Sequence, residues 1–314
     1  MNDRLPDEQL AASIVASSLS VSPLACRRFT TGSHHFVYEA TFSDRPPVVV
    51  RIARPSERAA MVGAAELSAL LRPRGVPLPE MIAKNLDGEF PWLILERLPG
   101  TDIAAVMRDL SDNALSGIAA AVARAQSITA ETDSAGRFGY AARPQNAPHP
   151  AWRDVLHANV ERSRHRIAKA GLFDRNLPDE LDKTIEAFQI ELDVVRATPF
   201  LHDAQTKNVI VTSSGAFSGI VDVDDLCFGD PRYAAALTLA VILAYGGPQH
   251  YVAALLRHAG QADDRVFRLY VAVLLLDLMS EHGHDFNGNQ GPTEPDVREH
   301  LLRVLRSTLD KVRA

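Results

Sequence analysis

Two cysteines, Cys26 and Cys227, are all that the 314 residues contain. Two such thiols make neither a disulfide framework nor a zinc-ligand spacing, which is what a reducing compartment usually shows, so a cytoplasmic location is expected. Long hydrophobic runs are missing as well. The longest apolar stretches, around Tyr233 to Tyr245 and Val271 to Leu276, fall short of the roughly 18 residues a membrane-spanning helix needs, so no membrane partner is expected. The opening MNDRLPDEQL is polar and acidic and lacks the basic patch and apolar core of a secretory signal. A basic excess is absent too: 33 Lys and Arg stand against 39 Asp and Glu, a formal net charge of -6. Residues 1–100 hold 11 acidic and 11 basic residues and residues 101–314 hold 28 and 22, so the whole imbalance lies in the second part. A nucleic-acid binder would carry a basic surface to neutralise phosphates, so none is expected as a partner. An acidic second part is compatible with a cationic small molecule, although ordinary solubility charge explains it without one.

What is present is a folded chain: 46% hydrophobic and 23% charged residues lie far from the composition of disorder. Residues 5–20 carry apolar positions at helical spacing. FVYEATF and PPVVVRIA then alternate as two strands about a turn at Ser43 to Pro46, Glu57 to Leu71 reads as a helix, and PWLILERLPG is a short strand running into a Pro-Gly stop. Beyond Gly100 the character changes. Segments at about 112–129, 150–171, 178–196, 231–245, 248–259, 263–282 and 294–312 are long and helix-periodic. One polar interruption, NVIVTSSGAFSGIVDVDD, pairs two apolar runs about a Ser-Ser-Gly turn, a hairpin signal. The expected class is therefore α+β. A small strand-rich lobe, 1–100, precedes a larger, mainly helical lobe, 101–314, with a ligand cleft between them.

FLHDAQTKNVIV sets Asp203 and Asn208 on a polar stretch between the apolar pair Phe200 and Leu201 and the run Val209 to Val211. Hairpin pairing brings Asp222, nineteen residues after Asp203, back beside them. Phosphoryl transfer needs such a set: a carboxylate near the attacking hydroxyl, and hard oxygen ligands that hold magnesium against a triphosphate. Asp203 suits the first role; Asn208 and Asp222 suit the second. Either Asp203 or Asn208 alone also suits a local turn or cap, and only the three together make the chemical reading. Asp224 and Asp225 extend the acidic cluster and would repel unless a cation or donor sits among them, so one of the two is expected to support the metal and the other to face solvent. Asp230 and Pro231 read as a helix start.

In these motifs the chain resembles the aminoglycoside phosphotransferase-like kinases, whose pattern is H-G-D-x-x-x-x-N, then a strand with an I-D-W-E-like run, then G-D-P. Here the corresponding residues are LHDAQTKN, IVDVDD and FGDP at Phe228 to Pro231. The resemblance spans about Phe29 to Tyr245. It implies a two-lobed, protein-kinase-like fold, with Asp203 as the catalytic Asp and Asn208 and Asp222 as the magnesium ligands. It departs at Leu201, which stands where the family has His, and at His202, which directly precedes Asp203 and is read as a packed histidine.

In the first lobe the resemblance gives FTTGSHHFVYEATF the form of strand, turn and strand. Gly32 and Ser33 would offer backbone N–H groups to a phosphate, although one glycine also suits an ordinary hairpin turn. Arg51 lies in an otherwise apolar strand and needs an anionic partner. Glu66, on a helical stripe with Val62 and Leu70, is the expected one, and the pair resembles the kinase Lys and Glu. PWLILERLPG resembles the segment linking the lobes, where backbone groups of Glu96 to Leu98 would bond a purine with Ile94 behind it.

The implied reaction is transfer of phosphate from ATP, or GTP, to a hydroxyl of a small molecule. An aminoglycoside or macrolide is one acceptor class and a sugar, choline or amino-alcohol another, with Glu281, His282 and Asp285 as candidate acceptor contacts. The displaced His and the glycine-poor loop also fit a nucleotide-binding pseudoenzyme. A metal-dependent hydrolase would want a His-rich ligand set, which the sequence lacks.

Overall fold

The structure, a computed structural model, describes residues 5–29, 35–284 and 293–314. Its first part runs α1 (Glu8–Leu19), β1 (Ala25–Arg28), β2 (Phe36–Thr41), β3 (Val48–Ile52), α2 (Arg58–Leu71), β4 (Met81–Asn85) and β5 (Trp92–Glu96). Asp7 starts α1 by accepting the Leu10 N–H at 2.8 Å, satisfying a first-turn donor that has no helical partner. The five strands form one antiparallel sheet in the order β1-β2-β3-β5-β4. Period-two alternation divides its side chains. Phe36, Tyr38, Val50, Ile52 and Ile94 pack under Ala11, Ile14 and Val15 of α1. On the other face Leu93 and Ala53 pack with Met61, Ala64 and Ala65 of α2.

The second part follows as β6 (Thr101–Asp102), α3 (Ile103–Val106), α4 (Asp112–Ala130), β7 (Gly139–Ala141), α5 (Trp152–Ala170), α6 (Leu177–Ala187), α7 (Gln189–Asp193) and β8 (Thr198–Phe200). Then come β9 (Val209–Val211), β10 (Phe217–Ile220), β11 (Leu226–Gly229), α8 (Arg232–Tyr245), α9 (His250–Ala259), α10 (Arg265–Glu281) and α11 (Pro295–Arg313). The expected helices are present, with one difference: the segment read as a single helix from 178 divides at Phe188, whose ring is buried in the core. The expected hairpin is β9–β10, extended by β6 into three strands, while β7, β11 and β8 form a second small sheet. Its strands are three or four residues long, too short to leave a periodic signature. Trp152 anchors the helical core, its indole N–H donating to the Tyr270 hydroxyl at 3.0 Å.

Gly100 lies one residue before β6 at φ 110°, and a Cβ there would stand 1.9 Å from the Val211 carbonyl oxygen. Only glycine meets both demands, left-handed backbone and close approach to the neighbouring strand β9. Gly100→Ala is expected to lower unfolding free energy by about 2 kcal/mol or more, read as a shifted urea midpoint at unchanged slope.

Candidate active site

The loop between β8 and β9 is clamped at both ends. Gln126 of α4 accepts the Leu201 N–H at 2.9 Å and donates to the Leu201 carbonyl at 2.8 Å. Asn208, itself buried, turns its amide nitrogen inward and donates to the Asp203 carbonyl at 2.9 Å and to Asp203 Oδ2 at 2.8 Å. The carboxylate is thus fixed from behind, and Oδ1 keeps no partner among the described residues. The β9–β10 hairpin returns the chain to this point, the Val221 N–H donating to the Asn208 carbonyl at 2.9 Å. The three residues expected together are together.

Burial pushes the Asp203 carboxyl up to about 6, with the charges of Asp222 and Asp225 adding to the rise, while His202 and the Asn208 hydrogen bond oppose it. A carboxylate at that level is poised to take a proton near neutral pH. Asp222 is half exposed and holds φ 63°, a left-handed conformation that a residue with a side chain adopts at some cost. Such strain is commonly retained at functional sites.

Arg51 is buried as expected, and it does have anionic partners, but Glu66 is not one of them. Its Nη2 lies 2.8 Å from Asp222 Oδ1 and 2.5 Å from Asp224 Oδ2. Glu66 is instead bound by Arg143, whose Nε donates at 2.8 Å and whose Nη2 also contacts it. The reason lies in the phase of α2. Its buried residues are Met61, Gly63, Ala64, Ala65, Leu67 and Leu71, and a Cβ on Gly63 would stand 2.5 Å from the Asp224 carbonyl oxygen. The helix therefore rests on the 222–225 loop through Gly63, and the stripe of Val62, Glu66 and Leu70 runs along its less buried side.

Asp224 has a second partner. His35, buried at the entry to β2, places Nε2 2.9 Å from Asp224 Oδ2, across 189 residues of chain. Burial alone would raise Asp224, but Arg51 and His35 outweigh it and hold the carboxyl down at about 2. Sequence reasoning gave one of Asp224 and Asp225 to the metal and the other to solvent and did not single out His35; the structure instead pairs Asp224 with Arg51 and His35. Neither residue had a partner visible within its own segment.

Ile94, expected behind a purine, faces the other way. It pairs with Val50 and is buried beneath α1, whereas Arg51 pairs with Leu93, so Leu95 is the half-buried side chain on the face of Arg51. Glu96 is exposed, and its N–H is taken by the Glu80 carbonyl at 2.8 Å. Leu98 is buried, and its N–H has no partner among the described residues. Glu281 is buried at the end of α10. His282 is buried too, its Nδ1 at 2.9 Å from the Thr293 hydroxyl and its ring edge-on to Phe173. His282 thus serves packing. Gly32, Ser33 and Asp285 lie outside the described residues.

His202 is packed, as read from the sequence, with its ring edge-on to Tyr140 at 4.9 Å and Nδ1 at 3.3 Å from Asp225 Oδ1. Burial raises the Asp225 carboxyl, and the nearby His202 works against that rise. Asp230 accepts the Arg232 N–H at 3.0 Å at the start of α8, pairs with the Arg232 guanidinium and receives the Tyr270 hydroxyl at 3.0 Å. It is a structural carboxylate, as expected.

The donors assigned to magnesium fit that ion. Asn208 commits its nitrogen to Asp203, which leaves Oδ1, and Asp222 presents an accessible carboxylate. Two hard oxygens suit a cation that retains waters and takes phosphate oxygens for its remaining positions. Among the described residues no three His, Cys, Asp or Glu gather into a metal cage, as would be wanted for an ion bound by protein alone.

Residues 25–270 match the phosphotransferase enzyme family. A comparison with curated proteins finds no match. Among solved structures, a thermostable mutant of aminoglycoside phosphotransferase APH(4)-Ia, in ternary complex with AMP-PNP and hygromycin B, aligns at TM-score 0.67 and 17% identity, covering 95% of this chain and 98% of that one. The GDP complex of wild-type aminoglycoside 2'-phosphotransferase-IIIa aligns at TM-score 0.66 and 15% identity, covering 96% and 98%. The fold is shared: a two-lobed, kinase-like α+β architecture.

Proposed function

We propose, since the chain belongs to the phosphotransferase enzyme family, that it transfers the terminal phosphoryl group of ATP or GTP to a hydroxyl of a small molecule, with Asp203 as the base. The observation that carries this reading is the Asp203 carboxylate, raised to about 6 and held through Oδ2 by Asn208, which leaves Oδ1 to meet the acceptor hydroxyl. As the acceptor oxygen bonds to the γ-phosphorus and the bond to the β-bridging oxygen breaks, the hydroxyl proton passes to Asp203 and the nucleoside diphosphate leaves. Asn208 and Asp222 would hold magnesium, which when bound neutralises charge on the phosphates. Arg51, on the sheet face that bears Val49 and Leu95, is placed to exchange a carboxylate for a phosphate oxygen.

The lobes divide near Gly100 in this reading, with nucleotide held by the first part and acceptor by the second. The purine would lie against Val49 and Leu95, with the Leu98 N–H available to it. Two of the similar structures are complexes with hygromycin B and with kanamycin, which favours an aminoglycoside in a first panel over the sugar, choline and amino-alcohol alternatives. No helix among the described residues is long and apolar enough to cross a membrane.

The test is a mass-spectrometric screen for phosphate addition across antibiotics and small alcohols, with ATP and GTP in parallel and magnesium present. A phosphorylated product with one of the nucleotides is expected. Nucleotide binding with neither product nor hydrolysis would instead identify a pseudoenzyme.

A further inference from the structure

Strand alternation puts His35 and Arg51 on one face of the first sheet. Val37 pairs with Arg51 across β2 and β3, and His35, two residues before Val37, is the diagonal neighbour on the same side. Both side chains are buried, and both reach one atom. Asp224 Oδ2 lies 2.5 Å from Arg51 Nη2 and 2.9 Å from His35 Nε2. An ionised carboxylate only accepts, so His35 carries its proton on Nε2 and donates it to Asp224.

The carboxylate hangs by that single oxygen. Asp224 Oδ1 is buried without a hydrogen-bond partner, so Arg51 and His35 are the two side-chain donors to Asp224 among the described residues. Their other commitments differ. Arg51 Nη2 also lies 2.8 Å from Asp222 Oδ1, whereas His35 Nδ1 forms no hydrogen bond and stands 3.9 Å from Glu57 Oε2. His35 is therefore dedicated to Asp224, while Arg51 is shared between two carboxylates.

This sharing matters once a phosphate competes for the guanidinium. Drawing Arg51 away from Asp224 would leave a largely buried carboxylate without a partner, which is strongly unfavourable. His35 meets that need, because its hydrogen bond to Oδ2 does not depend on Arg51. Without it, Asp224 would hold Arg51 against the incoming phosphate. Resting on the phosphotransferase reading above and its exchange at Arg51, we propose that His35 is a positioning residue for nucleotide binding: it retains Asp224 so that Arg51 is released to a phosphate oxygen of the nucleotide. His35 itself touches no substrate. Its effect falls on the phosphates and not on the base or the sugar.

The experiment measures dissociation constants by calorimetry on the full chain with magnesium present, for adenosine against ADP and for guanosine against GDP. Native protein, His35→Leu, His35→Gln, Asp224→Asn and the double variant His35→Leu with Asp224→Asn are compared. The native protein is expected to bind one of the diphosphates more tightly than its nucleoside. His35→Leu should weaken the diphosphate by about ten- to a hundredfold, the range for a hydrogen bond to a charged group, and leave the nucleoside unchanged, which also shows that the variant is folded. His35→Gln, whose amide can donate to Asp224, should recover part of the loss. In the Asp224→Asn background the charge that retains Arg51 is gone, so His35→Leu should change the diphosphate affinity by a factor near one. Equal weakening of nucleoside and diphosphate, an unchanged diphosphate affinity in His35→Leu, or the same loss in the Asp224→Asn background overturns the proposal, while diphosphate binding by the native protein leaves the phosphotransferase reading intact. Absence of binding of either diphosphate to the native protein overturns both.

Discussion

Replacing Asp203 with Asn is expected to lower kcat by about 10²–10⁴-fold, the usual contribution of a positioned base, and at the same time to make the protein more stable. The two effects share one cause. Asn keeps the shape and can still accept the Asn208 N–H, but it cannot take a proton from a hydroxyl. It also removes a carboxylate whose ionisation the fold opposes through burial and the charges of Asp222 and Asp225. The folded pKa, about 6, lies above the ordinary carboxylate value. Asp203 therefore favours the folded state most when protonated, below about pH 4, and that advantage is lost as pH rises through about 6. Over a shift of this size the loss is on the order of 2–3 kcal/mol. Urea denaturation of metal-free native and Asp203→Asn proteins should accordingly coincide near pH 4 and diverge toward pH 7, with the variant the more stable. Equal stability at pH 7 would mean that Asp203 is ordinarily solvated. Undiminished transfer by the variant would remove it from the reaction.

The site was legible in the sequence where its residues sit on one local unit. Asp203 and Asn208 share a loop between two strands, and Asp222 follows just beyond the next strand of the same hairpin. Strand alternation and turn residues alone were enough to bring the three together. The long helices were legible for a similar reason, since periodicity over ten or more residues is hard to mistake. Short strands were not: β4 is largely exposed, and β6 to β8 are two or three residues each, so neither alternation nor length marks them.

What sequence could not supply was the choice among partners brought from afar. A buried Arg51 demands an anion, and that demand was correctly read. Four carboxylates, Glu66, Asp222, Asp224 and Asp225, were available to meet it, and the outcome depended on how α2 rolls against the hairpin loop. Gly63 decides that roll by letting the helix backbone approach Asp224, and the effect of a missing side chain at one position is not a periodic signal. The same limit applies to Ile94. A strand buried on both faces reads as a continuous apolar run, and only the register against β3 separates the face of Arg51 from the face of α1.

Arg51→Met should therefore destabilise the protein strongly, and in a way that separates the observed pairing from the one expected. The guanidinium is buried between Asp222 and Asp224, and removing one partner of a buried ion pair while the other remains costs about 3–5 kcal/mol. Asp224 carries most of this, because it is the more buried carboxylate and is held at about 2 only by Arg51 and His35 against the opposing pull of burial. A depressed carboxyl contributes stability that is present above the ordinary pKa and lost as pH falls toward the folded one. Native and variant stabilities should thus differ most near pH 7 and converge below about pH 4, as Asp224 protonates in the variant and then in the native protein. A double-mutant cycle supplies the discrimination. Arg51→Met combined with Asp224→Asn should show a coupling above about 1 kcal/mol, as contacting charges do. Arg51→Met combined with Glu66→Gln should be additive, because Glu66 is committed to Arg143 on the exposed side of α2. Strong coupling to Glu66 and none to Asp224 would restore the kinase-like pair to this site and would displace the 222–225 loop from its role as the seat of the buried cation.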